Sequence, residues 1–403
     1  MTPYRLNRPV DLICFALCVA QLTYLAGSFV QGSWIHNPDG QFITTDFVNV
    51  WATGRQMLDG AALAVYDPVA HKQAEAAAVG HPFDGEYPWI YPPTFLFVAA
   101  LLACLPFLWA YVSWIALTFP AYVLAIRAII GSRAGFLLAC AYPGILSNLL
   151  VGQNGFLSAG LIGGALLSLH ARPVLAGSLI GLVSFKPHLG ILFPLVLVAG
   201  GHWRAIAAAA VMTGLLFAAS WVAFGIEVWQ AFLHSVPVAS QAALSEGRAD
   251  LAKVQSIFAL TRILGGSTTL AWTVQFLFAG MVSAVLLVMW RSKISFPMKA
   301  AAFVTATLLV TPYLFLYDLV VLAIAMAFLL RAGQTQGHLR GETAGIGCAS
   351  LLILIFPLVK APVGFGATLL VALLILRRAW RELSVQARPK AFVPVPQAPP
   401  ALP

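Results

Sequence analysis

The sequence predicts an all-α, polytopic membrane helix bundle with about 10–12 transmembrane helices. Of its 403 residues, 60% are hydrophobic and only 9% are charged, whereas soluble globular proteins carry about 25% charged residues. The apolar residues form successive runs, many near the length of about 20 residues that a spanning helix needs. Because lipid offers the backbone no hydrogen-bond partner, such runs must be helical. This composition excludes an ordinary soluble enzyme.

The net charge of +9 does not indicate a nucleic-acid partner. The Lys and Arg residues occur as short clusters between apolar runs rather than as one basic stripe. Such clusters set the orientation of the spans of a polytopic protein across its lipid membrane. The five cysteines lie in apolar runs and lack the spacing of metal ligands. They predict neither a disulfide framework nor a zinc site.

The positive-inside rule predicts the orientation of the spans. Twelve spans, counted from apolar runs that include 92–108, 110–130 and 173–200, place both chain ends and most basic loops on the cytoplasmic side. The same count leaves three arginines outside, against the rule: Arg127, Arg133 and Arg172. One segment in the middle of the chain is therefore expected to be re-entrant or miscounted.

A single transmembrane domain is predicted over residues 1–387, with outward loops at about residues 31–91 and 225–268. The first loop holds seven of the fourteen acidic residues. Long ordered loops on a helical scaffold usually carry function. Residues 388–403 include six prolines and predict a disordered cytoplasmic tail.

Residues 46–58 of the first loop predict a short amphipathic helix on the membrane surface, because apolar side chains recur there with helical spacing. Thr45 can cap this helix, which also carries Arg55. Asp46 stands at its start. This acid is either favoured there by the helix dipole or acts as a general base at the membrane boundary.

Two polar motifs each allow a structural and a functional interpretation. Tyr91, followed by two prolines, is either an interfacial anchor at a helix start or the rigid rim of a substrate groove. Gln153 and Asn154 lie between two glycines. They form either a tight turn or a set of hydrogen-bonding groups for sugar hydroxyls.

Lys186 is predicted to be functional, because it is the only charge about halfway along the apolar run 173–200. A charge at that depth costs about 3 kcal/mol, so it should face a polar cavity, beside a kink at Pro187. A lysine in such a cavity is suited to holding a phosphate, and His188 could assist it.

Two further places are ambiguous. Arg262 either reaches lipid headgroups or binds a lipid phosphate. Tyr317 and Asp318 form either an interfacial anchor with a helix-start acid or part of a site. The sequence contains no Gly-rich phosphate loop, no H-E-x-x-H and no G-x-S-x-G, so no cofactor and no metal are expected.

In their order along the chain, these motifs resemble glycosyltransferase family 87 of the membrane-embedded GT-C superfamily, over residues 45–335. The motifs are Asp46-Phe47, Tyr91-Pro92-Pro93, Gly152-Gln153-Asn154, Lys186-Pro187, Gln255-Ser256 and Tyr317-Asp318. The resemblance implies a GT-C-type bundle in the plasma (inner) membrane of a bacterium, with an outward-facing site. It also implies a polyprenyl-phosphate sugar donor, with mannose as the sugar by analogy, a lipid or glycolipid acceptor, and inversion at the anomeric carbon.

The resemblance also implies that Asp46 is the general base. Because phosphate is a good leaving group, cations can take the place of a general acid, and the candidates for binding the donor phosphate are Lys186, Arg262 and His188. The residues expected to contact sugar or acceptor are Tyr91, Gln153, Asn154, Arg55, Tyr317 and Asp318. Twelve simple spans would put Gln153 on the side opposite Asp46, so either that region is re-entrant or the site assignment is wrong.

Two other functions stay open at this point. A transporter or flippase of lipid-linked sugars predicts charges at mid-depth in several spans, preferably in paired halves. A non-catalytic assembly subunit predicts that the change Asp46→Ala is tolerated.

Overall fold

The computed structural model describes residues 8–85, 87–247, 250–359 and 361–386. Within these ranges the chain is helical and has no β-strand, only isolated β-bridges. The predicted all-α class is confirmed. The predicted proline-rich tail, residues 388–403, lies outside the described residues.

The helices are numbered in chain order. Those up to residue 199 are α1 (Arg8–Val30), α2 (Asp46–Leu58), α3 (Pro68–Val79), α4 (Leu96–Ala103), α5 (Phe107–Ile130), α6 (Ala134–Ala141), α7 (Gly144–Val151), α8 (Gly155–Ser168), α9 (Pro173–Leu182), α10 (Pro187–Gly190) and α11 (Phe193–Ala199). The later ones are α12 (Trp203–Phe224), α13 (Ile226–Ser240), α14 (Ile257–Ile263), α15 (Thr268–Arg291), α16 (Phe296–Val310), α17 (Leu322–Gln336), α18 (Glu342–Leu354), α19 (Phe356–Val359) and α20 (Val363–Gln386).

The chain is an integral membrane protein. Six helical segments are long and apolar enough to cross a bilayer, or seven if α6 and α7, bent by 64° at their junction, form one span. Other apolar runs form shorter helices of 10–17 residues. The long helices α1, α12 and α15 keep most of their surface exposed, as helices facing lipid do.

The predicted span over residues 92–108 is wrong. Its helical part, Pro93–Ala103, is about 16 Å long, too short to cross a bilayer. It lies along α2, where Gly54 approaches the α4 backbone so closely that a Cβ there would stand 2.0 Å from the Ala99 carbonyl oxygen. The Trp51 indole donates to the Leu105 carbonyl at 2.9 Å. The segment therefore begins and ends on the α2 side of the bundle.

The predicted single span over residues 173–200 is also wrong, because two antiparallel helices occupy it. The segments Pro173–Phe185 and Pro187–Ala199 meet at Lys186. The second returns the chain to the start of the first, since His202 packs against His170 with ring centroids 5.2 Å apart. Lys186 therefore lies at the tip of a hairpin and not halfway along a span.

These two errors have opposite effects on the predicted side of the loops, so they cancel after residue 200. Between them, they explain why the sequence predicts the three arginines on the wrong side. Removing one span before Arg127 and replacing the single span 173–200 by a hairpin that returns to its starting side reverses the side of the intervening loops only. Contacts at one end of the bundle agree: Arg331 donates to the Ile130 carbonyl at 3.2 Å, and Gln386 donates to the Lys293 carbonyl at 3.2 Å. We call this end, which gathers the cations of the loops between the spans, the basic end. It holds Arg127, Arg133, Arg172, Arg204, Arg291, Lys293, Lys299, Arg331, Arg340 and Arg377.

A buried ion pair lies at the basic end. Arg378 on α20 is 2% exposed and pairs with Glu342 at the start of α18. Its Nε lies 2.6 Å from Glu342 Oε1, and its Nη2 lies 2.6 Å from Oε2. Arg378 also donates to the Gly337 carbonyl at 2.8 Å. Its bidentate geometry ties the loop after α17 to the last helix.

We expect the change Gly54→Ala to push α2 away from α4. Overpacking of this kind costs about 1–3 kcal/mol, and α2 carries Asp46, so both thermal stability in detergent and activity should fall. The matched control is Gly280→Ala on α15, where a Cβ meets no atom within 4 Å. The control should leave stability unchanged or slightly higher, because Ala favours the helix. Equal behaviour of the two variants would contradict the tight α2–α4 contact.

Candidate active site

Five separate motifs of the sequence meet at the end of the bundle opposite the basic end. Their polar side chains form a continuous hydrogen-bonded series, which we call the polar network. In order of contact its members are Asp46, Gln153, Tyr91, Asn154, Lys186 and Asp318. All except Asp46 are buried, and Asp46 is partly exposed.

The first half of the network joins Asp46 to Tyr91. The Gln153 amide donates from Nε2 to Asp46 Oδ1 at 3.2 Å. Its Oε1 accepts from the Tyr91 hydroxyl at 3.0 Å, and the same hydroxyl accepts from Asn154 Nδ2 at 2.8 Å. The carboxylate of Asp46 is thus held by a side chain that is itself fixed on its other side.

The second half of the network is an ion pair. Lys186 Nζ lies 2.5 Å from Asp318 Oδ1 and 2.7 Å from Asn154 Oδ1. The ammonium also lies 5.3 Å from the ring centre of Tyr317. A charge this deeply buried needs a partner, and Lys186 has one within the protein.

The corrected course of the chain explains how Gln153 reaches Asp46. Without a span over residues 92–108, α6 and α7 lead from Arg133 at the basic end to Gly152 at the opposite end. The bent pair ends at Gly152, whose φ of +69° is readily adopted only by glycine. A Cβ at Gly152 would also stand 2.7 Å from both Phe47 and Tyr111. The motif is therefore both a tight turn and a source of polar side chains, and Gln153 lies on the same side as Asp46.

Asp318 has two partners. Its Oδ2 accepts from the Phe315 backbone N–H at 3.3 Å, which starts the short 3₁₀ helix Leu316–Val321. Its other oxygen pairs with Lys186. Asp318 therefore has both of the roles that the sequence left open: it caps the start of this helix and it belongs to the polar network.

The helix that carries Asp46 begins and ends at the predicted residues, but its surroundings differ from the prediction. Thr45 occupies the N-cap position without a capping hydrogen bond from its side chain. The face expected to be polar and exposed is covered by α3, whose His71 places Nδ1 2.8 Å from Gln56 Oε1 and Nε2 2.9 Å from Asn49 Oδ1. α2 is therefore held on two sides and does not simply lie on the membrane surface.

The electrostatics of Asp46 suit a base. Burial raises the pKa of its carboxyl group above the ordinary value, while the hydrogen bond from Gln153 and the charge of Lys253 act in the opposite direction. The net effect is upward. A raised pKa makes the carboxylate a stronger proton acceptor.

One comparison with known proteins decides the family. The model of glycosyltransferase family 87 matches residues 89–312, more than half of the chain. The chain belongs to this family. Neither the search of curated proteins nor the search of solved structures gave a match.

This family 87 chain is therefore a membrane glycosyltransferase. The matched region includes Tyr91, Gln153, Asn154 and Lys186 of the polar network. The two carboxylates of the network, Asp46 and Asp318, lie outside the matched region, and the fold brings them to it.

Three predicted site residues of the glycosyltransferase have no hydrogen bond, ion pair or cation–π contact with the polar network within the described residues. Arg55 is exposed, lies roughly 14 Å along α2 from Asp46 and packs over Trp51. Arg262 donates to the Gly266 carbonyl at 3.0 Å, just beyond the end of α14. His188 lies two residues beyond the hairpin tip, and its buried Nε2 has no hydrogen-bond partner. Their substrate roles stay predictions.

We expect the change Tyr91→Phe to weaken the network that fixes Gln153. The change removes the acceptor of Asn154 Nδ2 and one donor to Gln153, and a buried unsatisfied group costs about 1–3 kcal/mol. The variant should unfold earlier in thermal denaturation and should transfer sugar more slowly. The control is Tyr87→Phe, which loses only a 3.5 Å contact to the Thr44 carbonyl. A Tyr91→Phe protein that matched this control would argue against the network.

Proposed function

We propose that this glycosyltransferase moves a hexose, with mannose the sugar implied by the resemblance, from a polyprenyl-phosphate donor to a lipid-linked or cell-envelope glycan acceptor. The observation that supports it best is Asp46: a partly exposed carboxylate with a raised pKa, fixed by Gln153. It lies in a chain whose family transfers sugars.

The proposed step is a single displacement with inversion. Asp46 takes the proton of the acceptor hydroxyl as the acceptor oxygen forms a bond to the anomeric carbon. The bond from that carbon to the phosphate oxygen breaks, and its electron pair stays on the phosphate. In such a reaction the base and the leaving group lie on opposite faces of the sugar. The phosphate is already a good leaving group, so a nearby cation can take the place of a second carboxyl group that would protonate it.

The distribution of cations supports an outward-facing site. The positive-inside rule assigns the basic end to the cytoplasm, and the polar network lies at the other end. We therefore infer that the enzyme works on the outer face of its membrane, which the resemblance implies to be the inner membrane of a bacterium. A polyprenyl-phosphate sugar suits that location because its lipid part keeps it in the bilayer beside the site.

The pairing of Lys186 weakens the alternative of a flippase. That alternative predicts charges at mid-depth in several spans, preferably in paired halves. Lys186 instead pairs with Asp318 within the protein, as expected for a group that organises a site.

The test uses the purified protein in sealed proteoliposomes with a series of polyprenyl-phosphate sugars and lipid acceptors. We expect release of polyprenyl phosphate together with a glycosylated acceptor for at least one donor. Movement of intact donor between leaflets without release would contradict the proposal and favour the flippase.

A further inference from the structure

We infer that Lys253, a residue outside every motif of the sequence analysis, is the cation that binds the phosphate of the donor lipid. This inference rests on the proposed function, because it presupposes a donor with a lipid phosphate. It changes the role expected of Lys186, which becomes a positioning residue.

The charge balance of the polar network motivates the inference. The network holds two carboxylates, Asp46 and Asp318, against one ammonium, Lys186. The charge of Lys186 is already engaged by Asp318 at 2.5 Å, and its side chain is 5% exposed. A phosphate entering this site would meet a net negative charge, so a further cation is needed for it to bind.

Backbone pairing places Lys253 beside the site. Its carbonyl accepts from the Leu316 N–H at 3.2 Å, and the Gln255 N–H donates to the Leu314 carbonyl at 2.6 Å. Val254 and Phe315 form the antiparallel bridge between these contacts. Leu316 is followed at once by Tyr317 and Asp318, so Lys253 pairs with the segment that leads into the polar network.

The segment of Lys253 is firmly held, while its side chain is exposed. Val254 is fully buried, and the Gln255 side chain accepts from the Gly364 N–H at 2.7 Å. Lys253 is exposed, and within the described residues its ammonium makes no hydrogen bond and no ion pair. Its backbone position is thus fixed and its charge is available to a ligand.

The charge of Lys253 acts on Asp46. It lowers the pKa of the Asp46 carboxyl group, and it does so more than the charge of Lys186 does. An exposed cation within electrostatic reach of the base can face the other side of a bound sugar. There it would neutralise the charge that collects on the phosphate as the sugar–phosphate bond breaks.

The other described cations at this end fit the role less well. Arg55 packs over Trp51 toward the far end of α2. Arg262 is engaged with the Gly266 carbonyl. Lys72 lies over the Phe83 ring and donates to the Gly85 carbonyl. Lys253 alone among these four combines exposure, a fixed backbone and a charge that lowers the pKa of Asp46.

The test measures binding of polyprenyl phosphate, without sugar, to the full chain in nanodiscs, with neutral polyprenol as the uncharged probe. We expect Lys253→Gln to weaken binding of polyprenyl phosphate roughly 10–100-fold, the loss typical of one charge-assisted contact. Binding of polyprenol and thermal stability should not change, because the side chain is exposed. Lys253→Arg should retain most of the affinity. The matched control is Lys293→Gln, which removes an exposed lysine at the basic end.

The outcomes separate this inference from the proposed function. Equal binding of polyprenyl phosphate by wild type and Lys253→Gln would overturn the inference and leave the donor class standing. No preference of the wild type for polyprenyl phosphate over polyprenol would contradict the donor class itself, and the inference would fall with it. An equal loss in Lys293→Gln would show a general charge effect and would also overturn the inference.

Discussion

Replacing Asp46 by Asn is expected to lower the rate of sugar transfer by about 10²–10⁴-fold, the usual contribution of a positioned general base. The change keeps the shape of the side chain and an oxygen that can accept the 3.2 Å hydrogen bond from Gln153. It removes only the ability to take a proton. The measurement is release of polyprenyl phosphate under single-turnover conditions, with thermal denaturation to show that the variant is folded.

The matched control is Asp59→Asn at the other end of the same helix. Asp59 is exposed and follows the last residue of α2, so its loss leaves the polar network intact. We expect the control to transfer sugar at the wild-type rate. A folded Asp46→Asn enzyme with unchanged turnover would remove Asp46 from the chemistry.

The pH dependence of the rate gives a second check on Asp46. A base works only when it is deprotonated, so activity should be full above its pKa and lost as the pH falls through that value. Because burial raises the pKa of Asp46, this acid limb should lie at a higher pH than for an ordinary aspartate. The limb should be absent from the residual activity of Asp46→Asn.

Much of the site could be predicted from the sequence because each motif breaks a local pattern. The helix that begins at Asp46 and continues to Leu58 could be predicted because its apolar residues recur with helical spacing. Lys186 stood out as a charge within an apolar run. The polar side chains next to Gly152 stood out in the same way.

What the sequence could not supply was direction and pairing. An apolar run has the same composition whether the chain continues through it or turns back, so the run 173–200 predicts one span where the structure has a hairpin. The ion pair with Asp318 joins residues 132 positions apart, which no local pattern reveals. Lys253 carried no signal at all, because an isolated lysine in a loop is ordinary.

The pairing of Lys186 with Asp318 leads to the second large effect. We expect Lys186→Gln and Asp318→Asn each to lower the free energy of unfolding by about 3–5 kcal/mol, because each leaves an unpaired buried charge. The double variant should be more stable than either single variant, since it removes both charges and keeps polar groups that can hydrogen-bond. Thermal denaturation of the four proteins in detergent measures this coupling.

The double variant also separates positioning from substrate binding. If Lys186 and Asp318 serve to hold Asn154 and the 3₁₀ helix in place, the double variant should regain part of the activity along with its stability. Its affinity for polyprenyl phosphate should stay near the wild-type value. If Lys186 instead binds the donor phosphate, Lys186→Gln should fold as well as wild type and lose that affinity. The buried 2.5 Å contact with Asp318 favours the first result, because an ammonium held this closely by a carboxylate attracts a second anion only weakly.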